Sequence, residues 1–358
     1  MKRILSLISA FALVLPAVPA SAGVRLGGEA GIRIRGEFRH ADTKDIENHE
    51  DDLKYQYRVR FNASAEPGEG YFFKAQLQYE GGASGVWQTV GHTCSELYTL
   101  QVSSAVIGRV LEHGSFAVGR LPLGSLGNPV FDLGFYPSQP LEIPVATLNF
   151  NRFFGAGYTA QNNLGSLSAT LLLLDNASAG KVFGDGYALH LALKTQIGAV
   201  TIEPQLLAVL TDTDVYTQND SLFKQNVTPL TVGASLTFPV RGVEIGMNGF
   251  CTMTDEHPSD FSAAVDYRGF LFRLKAEKGP FMAWVDYNRT IDRSPSSDET
   301  EYVNTFIWAQ YRFPLHESPG GTFSLTPTVR YLSSSIRSGS CETGTGRLRM
   351  ELYAAVKF

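Results

Sequence analysis

The chain has 358 residues, with 30 Lys and Arg against 35 Asp and Glu and a formal net charge of -5. That balance excludes a basic nucleic-acid-binding domain, and three cysteines are too few, and odd in number, for a disulfide framework. Gly, Phe and Tyr are abundant, with 35, 23 and 15 copies, which suits one large all-β domain better than two ordinary ones.

Residues 1–22 read as a secretory signal peptide. Lys2 and Arg3 supply the charged start, Ile4 to Val18 the apolar run, and Ala20-Ser21-Ala22 a small-residue cleavage site before Gly23. No later stretch is long and apolar enough for a membrane-spanning helix, so a mature chain housed in a membrane must cross it as strands closed into a barrel.

From Gly31 onward the hydrophobic period is two. In Gly31 to His40, Ile32, Ile34 and Phe38 alternate with Arg33, Arg35, Glu37 and Arg39; in Leu53 to Ala65, Leu53 to Ala63 alternate with Lys54, Gln56, Arg58, Arg60, Asn62 and Ser64. One face suits lipid and the other water. A soluble sandwich also alternates, but here the connectors themselves alternate between short and long, which is barrel topology. Short ones are Glu66 to Gly70, Gln161 to Gly165, Gln196 to Ala199, Pro239 to Gly242 and Lys278 to Pro280. The long ones include Ala41 to Asp52, Gly81 to Glu96, Leu121 to Leu148, Thr211 to Gln225, Ile291 to Val303 and Ser333 to Gly346. Counting between them predicts a transmembrane antiparallel β-barrel of about 16 strands. That count takes Asp260 to Glu277 as one strand with a bulge at Gly269. Tyr55, Tyr57, Tyr71, Phe73, Tyr79, Tyr267, Phe281, Tyr287 and Tyr331 are expected on or near the apolar face, as interfacial girdles. In the last strand, Arg347 to Phe358, Leu348, Met350, Leu352, Ala354, Val356 and Phe358 alternate with Arg349, Glu351, Tyr353, Ala355 and Lys357. This strand must pair with Gly31 to His40 to close the barrel.

Several motifs resemble the general bacterial outer-membrane porins. Phe358, closing an alternating strand, is similar to the final aromatic of outer-membrane barrels. Gly114-Ser115-Phe116-Ala117-Val118-Gly119-Arg120 resembles the fifth strand of diffusion porins, and the proline-rich segment 121–148 follows where those proteins carry a third loop folded into the pore. Asn151-Arg152-Phe153-Phe154-Gly155-Ala156-Gly157-Tyr158 is similar to their sixth strand. The resemblance implies a water-filled channel for passive diffusion of small hydrophilic solutes and ions, in a homotrimer set among outer-membrane lipid and lipopolysaccharide, with no cofactor. It also implies a basic wall containing Arg120 and Arg152 and an acidic side offered by Asp132 and Glu142. The loop departs from the family pattern around Tyr136-Pro137-Ser138-Gln139-Pro140-Leu141-Glu142, where those porins usually have an acid beside a Phe-Gly-Gly turn.

The strand phases themselves place Arg33, Arg35, Arg58, Arg60 and Lys74 on the water-facing side, where rings of charge select solutes. The alternative for each arginine is a rigidifying ion pair with Glu37, Glu80 or a loop acid. Strict alternation sets Arg120 outward if Phe116 and Val118 face lipid. A substrate-specific sugar or anion channel has the same layout and stays open as a second function. Catalytic signatures are absent: there is no Gly-x-Ser-x-Gly, His-Glu-x-x-His or phosphate-binding loop. An outer-membrane enzyme is therefore not expected. His92 with Cys94 lacks further metal ligands, and a Cys94 to Cys341 bridge is the one disulfide considered.

Overall fold

A computed structural model describes residues 23–43, 46–79, 87–91, 99–123, 128–138, 141, 152–175, 185–210, 228–256, 265–294 and 298–358. The signal-peptide segment, Glu142, His92 and Cys94 lie outside the described residues; Cys251 and Cys341 are free thiols.

The strands are β1 (Gly23–Thr43), β2 (Ile46–Gly68), β3 (Tyr71–Gln78), β4 (Gln101–Leu111), β5 (Gly114–Pro122), β6 (Arg152–Asn162), β7 (Gly165–Asp175) and β8 (Gly186–Ile197). They continue with β9 (Val200–Val209), β10 (Leu230–Val240), β11 (Val243–Glu256), β12 (Val265–Lys278), β13 (Phe281–Asp292), β14 (Thr300–Tyr311), β15 (Gly321–Ser338) and β16 (Cys341–Lys357). Two shorter segments extend strands already named. Gln88–Thr89 pairs with β2 beyond the end of β3, and Phe313–Ser318 carries β14 past Arg312 along β15. Each strand pairs antiparallel with its neighbours, and β16 pairs with β1, so the sheet is a closed barrel of 16 strands. Closure satisfies the backbone ladder all round, which a membrane-spanning sheet requires.

Consecutive strands meet at one end in tight turns. Arg241 and Gly242 both have positive φ, 51° and 77°, the primed-turn geometry whose twist matches the flanking strands. In bacterial outer-membrane barrels the short-turn end is the periplasmic one. At the other end the hairpins differ from the sequence expectation in two places. The polar stretches Ala41 to Asp52 and Ser333 to Gly346 are mostly strand: β1 pairs with β2 as far as Thr43 and Ile46, and β15 with β16 as far as Ser338 and Cys341. Outside the hydrocarbon a strand can carry polar residues on both faces, so the period-two signal disappears while the ladder continues.

The periodicity translates directly into faces. Along β16, Leu348, Met350, Leu352 and Val356 share the outward phase, and Glu351 and Ala355 are buried inward. The segment expected at Asp260 to Glu277 is a single strand from Val265, as counted, but it has no bulge. Gly269 continues an unbroken register with Thr252 and Thr290. It lies in close contact, since a Cβ there would meet Thr290 Oγ1 at 2.5 Å. Without the slip, Val265 and Tyr267 keep the inward phase of Leu271 and Arg273. Tyr267 is fully buried rather than part of the girdle.

The apolar core sits inside the barrel, on one wall. The helix α1 (Pro129–Phe135), from the segment between β5 and β6, lies against the inner faces of β9 to β12. Val130, Phe131, Leu133 and Phe135 are buried there with Phe153, Leu172, Leu207, Phe250, Tyr267 and Leu271. Gly134 permits the approach: a Cβ would meet Leu207 Cδ2 at 2.8 Å and Thr231 Oγ1 at 2.9 Å.

The outward phase carries a testable cost. Ile307 lies outward in mid-strand, paired with Val285 and Tyr331, and is exposed. Ile307→Arg should lower barrel stability in lipid vesicles by about 2 to 4 kcal/mol, read by urea unfolding, whereas Thr328→Arg, on an inward position of β15, should cost clearly less.

Candidate functional site

The seam where β15, β16, β1 and β2 meet carries the densest charge. Alternation turns Glu29, Arg33, Arg35, Glu37 and Arg39 of β1 inward. The register sets Arg33 beside Gln56 and Tyr353, Arg35 beside Lys54 and Glu351, and Glu37 beside Arg349. Glu351 takes three guanidinium groups: Arg35, Arg33 through Nη1 at 3.3 Å, and Arg330 through Nη2 at 2.8 Å. Glu37 accepts from Arg349 Nε at 2.7 Å and Arg39 Nε at 2.6 Å, with Lys54 Nζ at 3.8 Å. Glu29 pairs with Arg58, whose Nη2 also donates to Tyr353 Oη at 2.6 Å. Arg39 and Lys54 also reach Glu50 at 3.8 Å and Asp52 at 3.1 Å, so on this wall the paired cations Arg33, Arg35, Arg39, Lys54, Arg58, Arg330 and Arg349 outnumber the carboxylates Glu29, Glu37, Glu50, Asp52 and Glu351.

Aromatic rings order the guanidiniums. Trp87, from the connector between β3 and β4, sits in the lumen with Arg33 Cζ 4.2 Å and Arg58 Cζ 4.5 Å from its ring centroid, edge-on to Tyr353 at 5.1 Å. Arg330 Cζ lies 3.6 Å from the Trp308 ring, which stacks on Trp284 at 4.5 Å. Such contacts hold a guanidinium by its face without neutralising it.

The neighbouring wall is locked rather than charged. Arg273 makes a two-point ion pair with the buried Asp286, at 2.6 and 2.7 Å, and Asp132 of α1 is close enough to act on Arg273 electrostatically. The segment after α1 is tied down by side chains of β13 and β14. Asn288 Nδ2 donates to the Pro137 carbonyl at 3.2 Å, Thr290 Oγ1 donates to the same oxygen, and Asn304 Nδ2 donates to Ser138 O at 2.7 Å. At the start of α1, Asn128 Nδ2 donates to Gln205 Oε1 at 2.7 Å, and Gln205 also meets His190 Nε2 at 2.9 Å.

Of the residues singled out from sequence, Arg33, Arg35, Arg58 and Arg60 come together on the seam wall. Lys74 faces the lumen on β3, apart from that cluster. Asp132 is buried on the loop side. Arg120 does not join the cluster. Its register partners Ala105 and Phe154 share the outward phase of Ile107 and Tyr158, and its Nη1 donates to Val102 O at 3.1 Å. The sequence had signalled this through the alternation of Phe116 and Val118. Arg152 is described only as backbone paired with Pro122, and Glu142 lies outside the described residues. The sequence reading left Arg330 and Trp87 unassigned. Arg330 has the inward phase of β15, a detectable signal; Trp87 has none, because its position depends on how the connector folds.

No protein-family model and no curated protein matches the chain. Solved structures do resemble it in shape. The anion-selective porin from Comamonas acidovorans superposes with a TM-score of 0.56 at 12% identity, covering 94% of this chain and 100% of that one. Outer-membrane expressed OmpT of Vibrio cholerae gives 0.54 at 9% identity over 95% and 99% of the two chains. A trimer form of in-vitro folded OmpT gives 0.52 at 10% identity over 92% and 99%. The chain has the fold of the bacterial outer-membrane porins and, with its apolar outer belt, is an outer-membrane β-barrel.

The ties on the loop are separable from the barrel. Removing Asn288 and Thr290 together (N288A/T290A) should weaken the hold on Pro137 by about 1 to 3 kcal/mol. Limited proteolysis between residues 121 and 151 should accelerate several-fold, with heat-modifiable migration unchanged.

Proposed function

We propose that this barrel is a channel for passive diffusion of small hydrophilic solutes, and that it prefers anions. The observation that carries the reading is the seam wall: Arg33, Arg35, Arg58, Arg330 and Arg349 share Glu29, Glu37 and Glu351, so the wall carries a positive surplus, with Arg33 and Arg35 buried in it and Arg58, Arg330 and Arg349 partly exposed. A lumen wall of one charge sign raises the local concentration of the opposite ion and lowers its barrier to entry. Arg33, Arg35, Arg58 and Arg60 line the passage, joined by Arg330 and Arg349. Lys74 contributes charge nearer the periplasmic mouth, and Arg120 and Arg152 belong to the rim of β5 and β6. The segment 121–148 is the constriction, with Glu142 on its acidic side and Asp132 buried behind it toward Arg273, and residues 1–22 are removed on export. Three such barrels assemble as a homotrimer among lipid and lipopolysaccharide, with no catalytic step.

A substrate-specific anion channel is the second reading, favoured by the density of guanidinium groups around Glu351. The two differ in bilayer recordings, where a specific channel shows saturable block by its solute.

Charge reversal at two seam positions tests the assignment. R58E/R60E should move the zero-current potential of the reconstituted channel in a KCl gradient toward cation preference. An unchanged potential in a variant that still migrates as a folded barrel would overturn the seam wall as the selecting element.

A further inference from the structure

Below the seam wall, toward the periplasmic turns, the lumen side of β1 to β4 forms a pocket of about 470 Å³ that the arginine cluster does not use. Its polar lining falls into two rows set by the register. Arg25, Ser64 and Lys74 lie side by side on β1, β2 and β3, and one inward position above them lie Gly27, Asn62, Gln76 and Ser104. Neighbouring strands are about 4.8 Å apart, so Arg25 and Lys74 stand roughly 10 Å apart at the backbone with the Ser64 hydroxyl between them. Both cations are exposed to the lumen, and neither has a carboxylate partner among the described residues. In this they differ from the seam arginines, which divide three carboxylates among them. The row above is neutral and hydrogen-bonding: Gln76 Nε2 donates to Asn62 Oδ1 at 2.8 Å, and the Ser103 hydroxyl donates to Gln76. At Gly27 the floor is closed by the Phe358 carbonyl oxygen, which a Cβ there would meet at 3.0 Å.

Two cations flanking a hydroxyl, beneath a shelf of amides, match a compact dianion bearing hydrogen-bonding oxygens. A monoanion engages one cation and gains little over chloride. A dianion spans both, and its remaining oxygens meet Ser64, Asn62 and Gln76. We propose that this pocket is a binding subsite for small dianionic oxyanions, a phosphate or phosphate monoester or a short dicarboxylate, at the periplasmic end of the channel. This deepens the anion-channel reading and rests on it. The subsite would hold a dianion that has passed the seam wall and give the passive pore a saturable preference.

The test uses the full-length mature barrel in planar bilayers carrying chloride current, in mildly alkaline buffer where phosphate is mostly dianionic. Inorganic phosphate and succinate are titrated against acetate at equal ionic strength. Saturable reduction of chloride conductance by phosphate, succinate or both, but not by acetate, is the expected result. Phosphate alone would identify a phosphoryl ligand and succinate alone a dicarboxylate. R25Q/K74Q should raise the half-blocking concentration at least tenfold, and Lys74→Arg alone should keep block near the original value. Absence of dianion block in the unaltered barrel, or an unchanged half-blocking concentration in R25Q/K74Q, overturns the subsite. The zero-current potential of the unaltered barrel in KCl reads the anion-channel proposal separately, so the two fail in different measurements.

Discussion

Closure of the β16–β1 seam is the constraint on which the rest depends. A sheet edge left open in hydrocarbon would strand a row of backbone groups at several kcal/mol each, so the first and last strands must meet in one register. Here they pair from Glu29 with Lys357 to Thr43 with Thr343. The final residue is held by a reciprocal pair of backbone hydrogen bonds between Phe358 and Gly28, at 2.7 and 3.1 Å. Gly28 is glycine for a packing reason, since a Cβ there would lie 2.6 Å from the Phe358 ring. That ring in turn meets Phe61 edge-on at 6.4 Å. The closing aromatic is thus part of the closure itself.

Fixing that register also fixes the candidate site. A slip of one residue would turn every side chain of the strand to the other face, so the pairings of Glu351 with Arg33 and Arg35, of Glu37 with Arg349, and of Arg58 with Tyr353 all follow from how the ends of the chain meet. Charges that would cost several kcal/mol on the lipid face are placed inside, against water and one another. The wall that makes the protein a closed object is therefore also its most highly charged surface. The apolar packing lies elsewhere, where α1 covers β9 to β12 and gives the interior its dry core.

Period-two alternation made the faces of β1, β2 and β16 readable residue by residue, because a half-buried strand leaves no freedom in which side chain points where. A fold-back of the segment after β5 was expected only from family resemblance, and helix α1 was not read at all: seven residues rich in apolar side chains carry no strand or amphipathic-helix period, and their partners Leu207, Phe250 and Tyr267 are distant in sequence. Tyr267 was misplaced for a related reason. An aromatic on an inward phase signals a bulge unless something inside the barrel exists to cover it, and α1 is that cover. Polar hairpin ends such as 41–52 looked like loops because neither face there needs to be apolar. Trp87 was not readable, since nothing local distinguishes a tryptophan that enters the lumen from one that stays on a loop.

Trp87 also bears on how a crowded set of arginines keeps its charge available. Guanidiniums in a confined lumen gain most by collapsing onto the nearest carboxylate in two-point pairs, as Arg273 does with Asp286 on the adjoining wall. At the seam that outcome is limited by numbers, with three carboxylates to share, and by geometry, because Arg33 and Arg58 flank one indole and Arg330 lies on another. A ring that contacts the guanidinium face draws on the ring quadrupole and leaves the N–H edges for a carboxylate or a passing solute. Like-charge repulsion among the arginines is offset by the carboxylates they share, since Arg33 and Arg35 are themselves buried. The adjoining wall, dry beneath α1, could not tolerate the same surplus, and there the Arg273 charge is matched by Asp286.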